Sequence, residues 1–164
     1  MQTIDPESLQ NGQYRSAANL TSRIDLHRSY SRNPYGWFRW VFDQLDLPPS
    51  TRLLELACGR GDLWRDNLDR IPPGWDITLT DLSEGMLADA KTWLAGSPHP
   101  FRFERADIQD IPFDDGQFDA VIANHMLYYV ADKPGAFREV LRVLRPGGYF
   151  FTTTVGEGHL RGLA

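Results

Sequence analysis

The sequence has few of the features that mark secreted, membrane-spanning or nucleic-acid-binding proteins. Cys58 is the only cysteine among 164 residues, so an internal disulfide is excluded. No apolar run approaches the roughly 20 residues that a membrane-spanning helix needs, and residues 1–10 are too polar and acidic for a signal peptide. The net charge of −5 offers no broad basic face to a phosphate backbone. We therefore expect a cytoplasmic protein that binds neither membranes nor nucleic acid.

Metal-binding patterns are also missing. The four histidines, His27, His99, His125 and His159, are scattered along the chain, and no residue near them has the spacing of a metal ligand. Cys58 lies inside a predicted turn, where packing is a more common role than that of a reactive thiol. We predict no metal site.

The chain divides into two parts at a proline-rich linker before residue 50. Residues 1–49 predict a helical cap, with a helical pattern from about 14 to 45 that is interrupted at Asn33–Pro34. Residues 50–164 alternate short apolar runs with helical patterns, as βα units do. The predicted strands are 52–57, 76–80, 101–106, 118–124 and 149–155, and the predicted helices between them are 61–70, 83–95 and 133–145.

This alternation predicts an α/β fold, a Rossmann-like, doubly wound and mostly parallel sheet of about five strands. Ser83 and Asp132 are the predicted N-caps of the second and third helices. On the last helix, an apolar face is predicted at Phe137, Val140, Leu141 and Leu144.

The strongest functional signal is LLELACGRGD, in which a strand ends at an acid and a Gly-x-Gly turn follows. Gly59 and Gly61 let a ligand approach the backbone closely, although a tight turn alone would also use them. Asp81 follows the second strand, where a carboxylate can accept from a ribose diol or, alternatively, cap the next helix. Glu55 would repel a pyrophosphate, and Trp64 stands where a dinucleotide fingerprint has its third glycine. Trp64 thus argues against a dinucleotide, and Glu55 would tolerate a nucleoside ligand that carries an ammonium group and no phosphate.

Five segments in this order resemble the motifs of class I S-adenosylmethionine-dependent methyltransferases. They cover roughly residues 50–155 and read LLELACGRGD, TLTDLSEGML, ADIQDIPF, FDAVIANHMLYYV and RVLRPGGYFFTTT. The family often has glycine where Ala57 stands. The family's sheet has seven strands, so two are missing here. The chain is then a fragment, a naturally short protein, or one whose N-terminal helices compensate.

The resemblance implies that S-adenosylmethionine is the cofactor and assigns residues to it. Glu55 and the backbone from Ala57 through Gly59 to Gly61 would hold the methionine part, and Asp81 the ribose. The adenine would contact Leu82, Met86, Asp107 and Ile108, and the main chain at Asn124 would close over the methionine end. Core packing is an alternative for Met86 and Ile108, and a loop cap for Asp107.

A small-molecule methyl acceptor is expected, because the chain is acidic and lacks a basic stripe. His125 is the candidate base, or alternatively a wall of the site, because it follows the fourth strand. Two other functions stay open: a nicotinamide-dependent oxidoreductase and a truncated, non-catalytic binding module. Residues 14–40 would form a lid, or their aromatic rings would fill the helix–sheet interface. As an uncharged edge strand, residues 149–155 predict self-association.

Overall fold

The computed structural model describes residues 29–30, 33–154 and 156. Its regular elements alternate along the chain as the sequence predicts. They are α1 (Trp37–Asp43), β1 (Ser50–Leu56), α2 (Asp62–Arg65), β2 (Gly74–Asp81), α3 (Glu84–Trp93), β3 (Phe101–Arg105), β4 (Phe118–Asn124), a 3₁₀ turn (Leu127–Tyr129), α4 (Lys133–Val143) and β5 (Leu144–Thr153).

The five strands form one parallel sheet in the order β3-β2-β1-β4-β5, so the predicted α/β Rossmann-like fold is confirmed. Helices cover both faces of this sheet. On one face, α1, α2 and α3 pack on Leu53, Ile77 and Ile122. On the other face, α4 packs on Leu54 and Val121. The central strand β1 is therefore buried on both sides, which explains its nearly continuous apolar run.

The two predicted N-caps are confirmed. Ser83 Oγ accepts from the backbone N–H of Met86 at 3.3 Å, and Asp132 Oδ1 accepts from Gly135 N–H at 2.9 Å. Each side chain satisfies one backbone donor that the first helical turn leaves unpaired. These caps fix the starts of α3 and α4, and β4 has the bounds predicted from its apolar run.

The helix predicted over residues 61–70 is wrong in length, because α2 ends at Arg65. The buried side chain of Asn67 explains this end. Its Nδ2 donates to the backbone oxygen of Leu63 at 2.7 Å, while its own N–H turns back to the oxygen of Trp64. A side-chain amide thus takes the carbonyl that the next helical turn would use, and the chain continues as turns.

The predicted apolar face of the last helix is wrong in part. Phe137 and Leu141 are exposed, whereas Ala136, Val140 and Val143 face the core. In addition, Leu144 already has an extended backbone and begins β5, five residues before the predicted strand start. The pairing with β4 then shifts register between Phe118 and Ala120. The Pro146–Gly147–Gly148 segment was expected simply to end the helix, but it lies within this irregular part of β5.

Only the second part of the predicted N-terminal cap lies within the described residues. Pro34 and Tyr35 form a turn, as the predicted interruption requires, and α1 follows with Val41 and Phe42 buried against the sheet. The helix predicted before Asn33 lies outside the described residues, apart from residues 29–30. Within the described part of the chain, no helix has the length and apolar character that crossing a bilayer requires.

Candidate functional site

The turn after β1 has an unusual backbone conformation at three positions. Ala57, Gly59 and Gly61 have φ angles of 56°, 58° and 75°, in the left-handed region that glycine favours. The N–H of Cys58 donates to the backbone oxygen of Thr80 at 2.8 Å, which ties the turn to β2. At Gly61 a Cβ atom would lie 3.0 Å from Leu94 Cδ1, so a larger residue would press on α3. The contacts around this turn thus fix its tight path.

Asp81 links this turn to the end of β2. Its Oδ2 accepts from the N–H of Gly59 and its Oδ1 from the N–H of Ser83, both at 2.9 Å. Burial raises the pKa of the Asp81 carboxyl, while these backbone donors act to lower it. Ser83 rather than Asp81 is the N-cap of α3. Each carboxylate oxygen has a second lone pair, so Asp81 can hold the turn and still accept from a diol.

Glu55 lies on β1 just before the turn and is 3% exposed. Its Oε2 accepts from the indole N–H of Trp64, with 2.5 Å between Nε1 and Oε2, and the Trp64 side chain is fully buried. Trp64 belongs to this corner of the fold, although the sequence reasoning did not place it there. In that reasoning it served only as an argument against a dinucleotide fingerprint, and only the fold brings its nitrogen to the acid.

The electrostatic environment of Glu55 is unfavourable to its charge. Burial and, to a smaller extent, the negative charges of Asp81 and Asp62 outweigh the opposing Trp64 hydrogen bond and raise the pKa of the Glu55 carboxyl to about 7. The same burial raises the pKa of the Cys58 thiol well above its ordinary value. Among the described residues, no cation forms an ion pair with Glu55. A buried carboxylate without a counterion is costly in its charged form, and a cationic group beside it would favour that form.

The end of β4 lies beside this corner. Leu56 pairs with Ala123, so the turn that begins at Ala57 adjoins Asn124 at the end of β4. Asn124 Oδ1 accepts from the hydroxyl of Thr153 at 3.0 Å, and its Nδ2 is buried with no hydrogen-bond partner among the residues that the structure describes. An orphaned buried amide costs stability unless another group satisfies it.

His125 also has a left-handed backbone, with φ 51°, and its N–H donates to the backbone oxygen of Thr153 at 3.0 Å. Its imidazole lies 4.7 Å from the indole ring of Trp37 on α1, measured between ring centroids. The structure therefore places His125 at the carboxyl edge of the sheet, beside α1. Its role as a base stays a prediction.

The remaining predicted residues lie around β2 and β3. Leu82 is half-buried, and its backbone oxygen accepts from the Arg105 guanidinium at 3.1 Å. Met86 and Ile108 are 2% and 5% exposed, which agrees with the core-packing alternative. Asp107 Oδ1 accepts from Gln109 N–H at 2.9 Å, which is the loop cap considered above. Contacts of these four residues with adenine stay predictions.

A cavity of about 130 Å³ lies between α1 and the carboxyl ends of β4 and β5. Leu53 packs with Ile122 and Phe151 on one face of the sheet. Glu55 is two residues after Leu53 on the same strand, so Glu55 and the cavity are on that face. The lining residues of the cavity are Trp40, Val41, Gln44, Leu45, Asn124, Phe151, Thr152 and Thr153. Among the described residues, no group of three or more His, Cys, Asp and Glu side chains has the arrangement of a metal site.

The model of a protein family described as a methyltransferase domain matches residues 54–152, which is more than half of the chain. A demethylmenaquinone methyltransferase from Symbiobacterium thermophilum is 34% identical over 116 residues, which are 70% of this chain and 46% of that protein. The chain spans about half the length of the curated relatives it matches.

Two solved structures have the same fold. An S-adenosylmethionine-dependent methyltransferase from Mesorhizobium loti is 32% identical with a TM-score of 0.60, over 73% of this chain and 54% of that one. The [4+2]-cyclase SpnF has a TM-score of 0.72 at 26% identity, over 93% of this chain and 61% of that one. The methyltransferase match extends from the centre of β1 into β5 and so contains Glu55, the turn and Asp81. This chain belongs to the class I S-adenosylmethionine-dependent methyltransferase family.

Proposed function

We propose that this chain binds S-adenosylmethionine at the corner formed by Glu55, the Gly59–Gly61 turn and Asp81, and transfers its methyl group to a small molecule. The observation that carries the proposal is Glu55, a buried carboxylate for which the described residues provide one neutral donor and no cation in an ion pair. The ammonium group of the cofactor is the missing counterion. A pyrophosphate-containing dinucleotide would instead bring negative charge next to Glu55, Asp62 and Asp81.

The residues fit the rest of the cofactor as well. Asp81 has acceptor capacity left for the two ribose hydroxyls, and the backbone at Gly59 is open to close approach because no Cβ is there. When bound, the cofactor supplies a methyl group on a sulfonium, which is already a good leaving group. The protein's contribution is then to orient the acceptor in line with that methyl group and to exclude water.

We propose that the acceptor occupies the cavity between α1, β4 and β5, and that its class is a quinone-type ring methylated at carbon. The relative named demethylmenaquinone methyltransferase supports this class. The mainly apolar lining, with Val41, Leu45 and Phe151, suits a flat ring. His125, one residue beyond Asn124 in the chain, is the group proposed to accept the proton that the acceptor carbon loses. An unchanged pH profile of kcat/KM in His125→Ala would remove that role.

The N-terminal segment, residues 1–49, is proposed as a lid over this edge. Its described part supports this, since Trp37 stacks against His125 and Trp40 lines the cavity. We expect S-adenosylhomocysteine to protect this segment from limited proteolysis. Equal cleavage rates with and without the ligand would contradict a lid.

Self-association through residues 149–155 is also proposed. In the described part of the chain β5 is an edge strand, and Tyr149 is exposed and stacked on Phe151. An unpaired, uncharged edge favours pairing with a second chain, and a lysine there opposes it. Light scattering should show an oligomer that Tyr149→Lys dissociates. A monomeric wild type at high concentration would contradict this.

Calorimetry with S-adenosylhomocysteine tests the cofactor proposal. Wild type should bind, and Asp81→Ala should bind more weakly by about 1–3 kcal/mol, because it loses charge-assisted hydrogen bonds to the ligand and to the turn. Asp76→Ala is the matched control, since Asp76 is a carboxylate on the same strand that pairs with Arg102 at the surface. Preferential binding of NAD, or equal affinity in wild type and Asp81→Ala, would reject the proposed site.

A further inference from the structure

We infer that Trp64 is a positioning residue that fixes the Glu55 carboxylate for the ammonium group of the cofactor, an inference that rests on the proposed function. The geometry is specific. Trp64 Nε1 lies 2.5 Å from Glu55 Oε2, and both side chains are buried, one at the start of α2 and the other at the end of β1. This contact spans the glycine turn, so it also links the two elements between which the ligand would lie.

A tryptophan differs here from the basic residues that usually accompany a buried carboxylate. Arginine or lysine would neutralise Glu55 and compete with the ligand's ammonium group. The indole supplies one N–H donor and no charge. It therefore holds Oε2 in place, leaves Oε1 for the ligand, and keeps the negative charge of the carboxylate available.

The neighbouring charges explain why a neutral donor matters. From β2, Asp81 acts on Glu55, and from α2, Asp62 does the same, each opposing its ionisation. Asp62 is itself 3.1 Å from the Arg60 guanidinium, which lies over the ring of Trp93. Cys58 in the turn stays a thiol because burial raises its pKa. The Trp64 hydrogen bond is thus the interaction that favours the charged form of Glu55.

Replacing Trp64 by phenylalanine removes this donor and keeps an aromatic ring in the core. The pKa of Glu55 should then rise by roughly one unit above its value of about 7. S-adenosylhomocysteine should bind about fivefold more weakly than to wild type at pH 7, since a smaller fraction of Glu55 is ionised. At pH 9 Glu55 is ionised in both proteins, so the ratio of the two dissociation constants should fall, and the weakening that remains measures the lost positioning. Taking the ratio cancels the titration of the ligand's own amino group.

Trp75→Phe is the matched control. Trp75 is 4% exposed in the same core cluster, and its indole N–H donates to the backbone oxygen of Pro48 at 2.9 Å. The Trp75→Phe variant therefore loses an indole and a partly buried hydrogen bond that does not involve Glu55. Its affinity ratio to wild type should not depend on pH. A ratio for Trp64→Phe that is equally flat from pH 6 to 9 would overturn the inference.

A second measurement needs no change at Trp64. In the wild-type chain, one indole N–H resonance should titrate with a midpoint near pH 7, and Glu55→Gln should abolish that titration. If no indole signal responds near that pH, Trp64 does not sense the charge of Glu55 and the inference is wrong. Because this titration is measured without ligand, it separates failure of the Trp64 role from failure of cofactor binding. If cofactor binding itself fails, the wild-type chain will not bind S-adenosylhomocysteine.

Discussion

The pKa values of two carboxylates, one at each end of the parallel sheet, are shifted in opposite directions. Near the amino end, Asp119 on β4 accepts from Arg52 and from Arg145, whose Nε lies 2.6 Å from Asp119 Oδ1. These arginines overcome desolvation and lower the pKa of Asp119 to about 2. At the carboxyl end, the part of the chain that the structure describes gives Glu55 a single, neutral donor, and burial raises the pKa of Glu55 to about 7.

The difference teaches how to separate structural from ligand-binding carboxylates in this fold. Asp119 is paired with cations of its own chain, so its charge stabilises the folded state. Glu55 has no such ion pair among the described residues, so its charge costs folding energy, which the proposed cationic ligand would offset. Strained or uncompensated groups that persist at the ligand edge of a sheet are typical of function rather than of stability.

The largest effect expected from this comparison is on the pH dependence of stability in Glu55→Gln. The pKa of Glu55 is higher in the folded than in the unfolded chain. The contribution of Glu55 to the free energy of unfolding is therefore fully present below about pH 4.5 and is lost as the pH rises through 7. The free energy of unfolding of Glu55→Gln relative to wild type should therefore increase by roughly 2–3 kcal/mol from pH 5 to pH 8. Urea denaturation at both pH values measures it. A constant difference would mean that Glu55 does not titrate in this range.

The same substitution should weaken ligand binding while it stabilises the fold. Gln cannot neutralise an ammonium group, so S-adenosylhomocysteine should bind to Glu55→Gln at least about tenfold more weakly at pH 8. Calorimetry provides the measurement, and Asp119→Asn is the control with unchanged affinity. Equal losses in both variants would remove the distinction between the two ends of the sheet.

The smallest effect is expected for Asp119→Asn, and its sign is opposite. We expect this variant to lose about 1 kcal/mol of stability at pH 7, a modest value because Arg52 and Arg145 are both substantially exposed. The pKa of Asp119 is lowered on folding, so its contribution is present above about pH 4 and is lost as the pH falls through about 2. In acid denaturation, the difference in stability between variant and wild type should thus be smaller at pH 2 than at pH 5. A variant more stable than wild type would contradict the pairing of Asp119 with the arginines.

Much of the framework could be predicted from local patterns. The apolar run of β4, the capping side chains Ser83 and Asp132, and the acid before a Gly-x-Gly turn all act within a few residues. Their physical effects depend on neighbours in the chain, so the sequence contains them directly. The five motifs together also indicate the family, because the spacing between them reflects the sheet that the members of the family share.

The parts that were wrong or missed depend on contacts between distant residues. The early end of α2 requires the buried amide of Asn67, and the start of β5 at Leu144 requires its pairing with Phe118. The bond from Trp64 to Glu55 spans nine positions across a turn, at a spacing that matches no helical or strand period. Helical spacing also failed at Leu141, because periodicity alone does not say which of two adjacent stripes faces the sheet.

Proton release during ligand binding tests most directly whether Glu55 is the counterion of the cofactor's ammonium group. At pH 6.5 most Glu55 side chains are protonated, and pairing with a cation should ionise them, so binding of S-adenosylhomocysteine should release roughly three quarters of a proton. Calorimetry in buffers of different ionisation enthalpy measures this number. The prediction is release in wild type and in Asp119→Asn but none in Glu55→Gln. Tight binding to wild type without proton release, or equal release in Glu55→Gln, would contradict it.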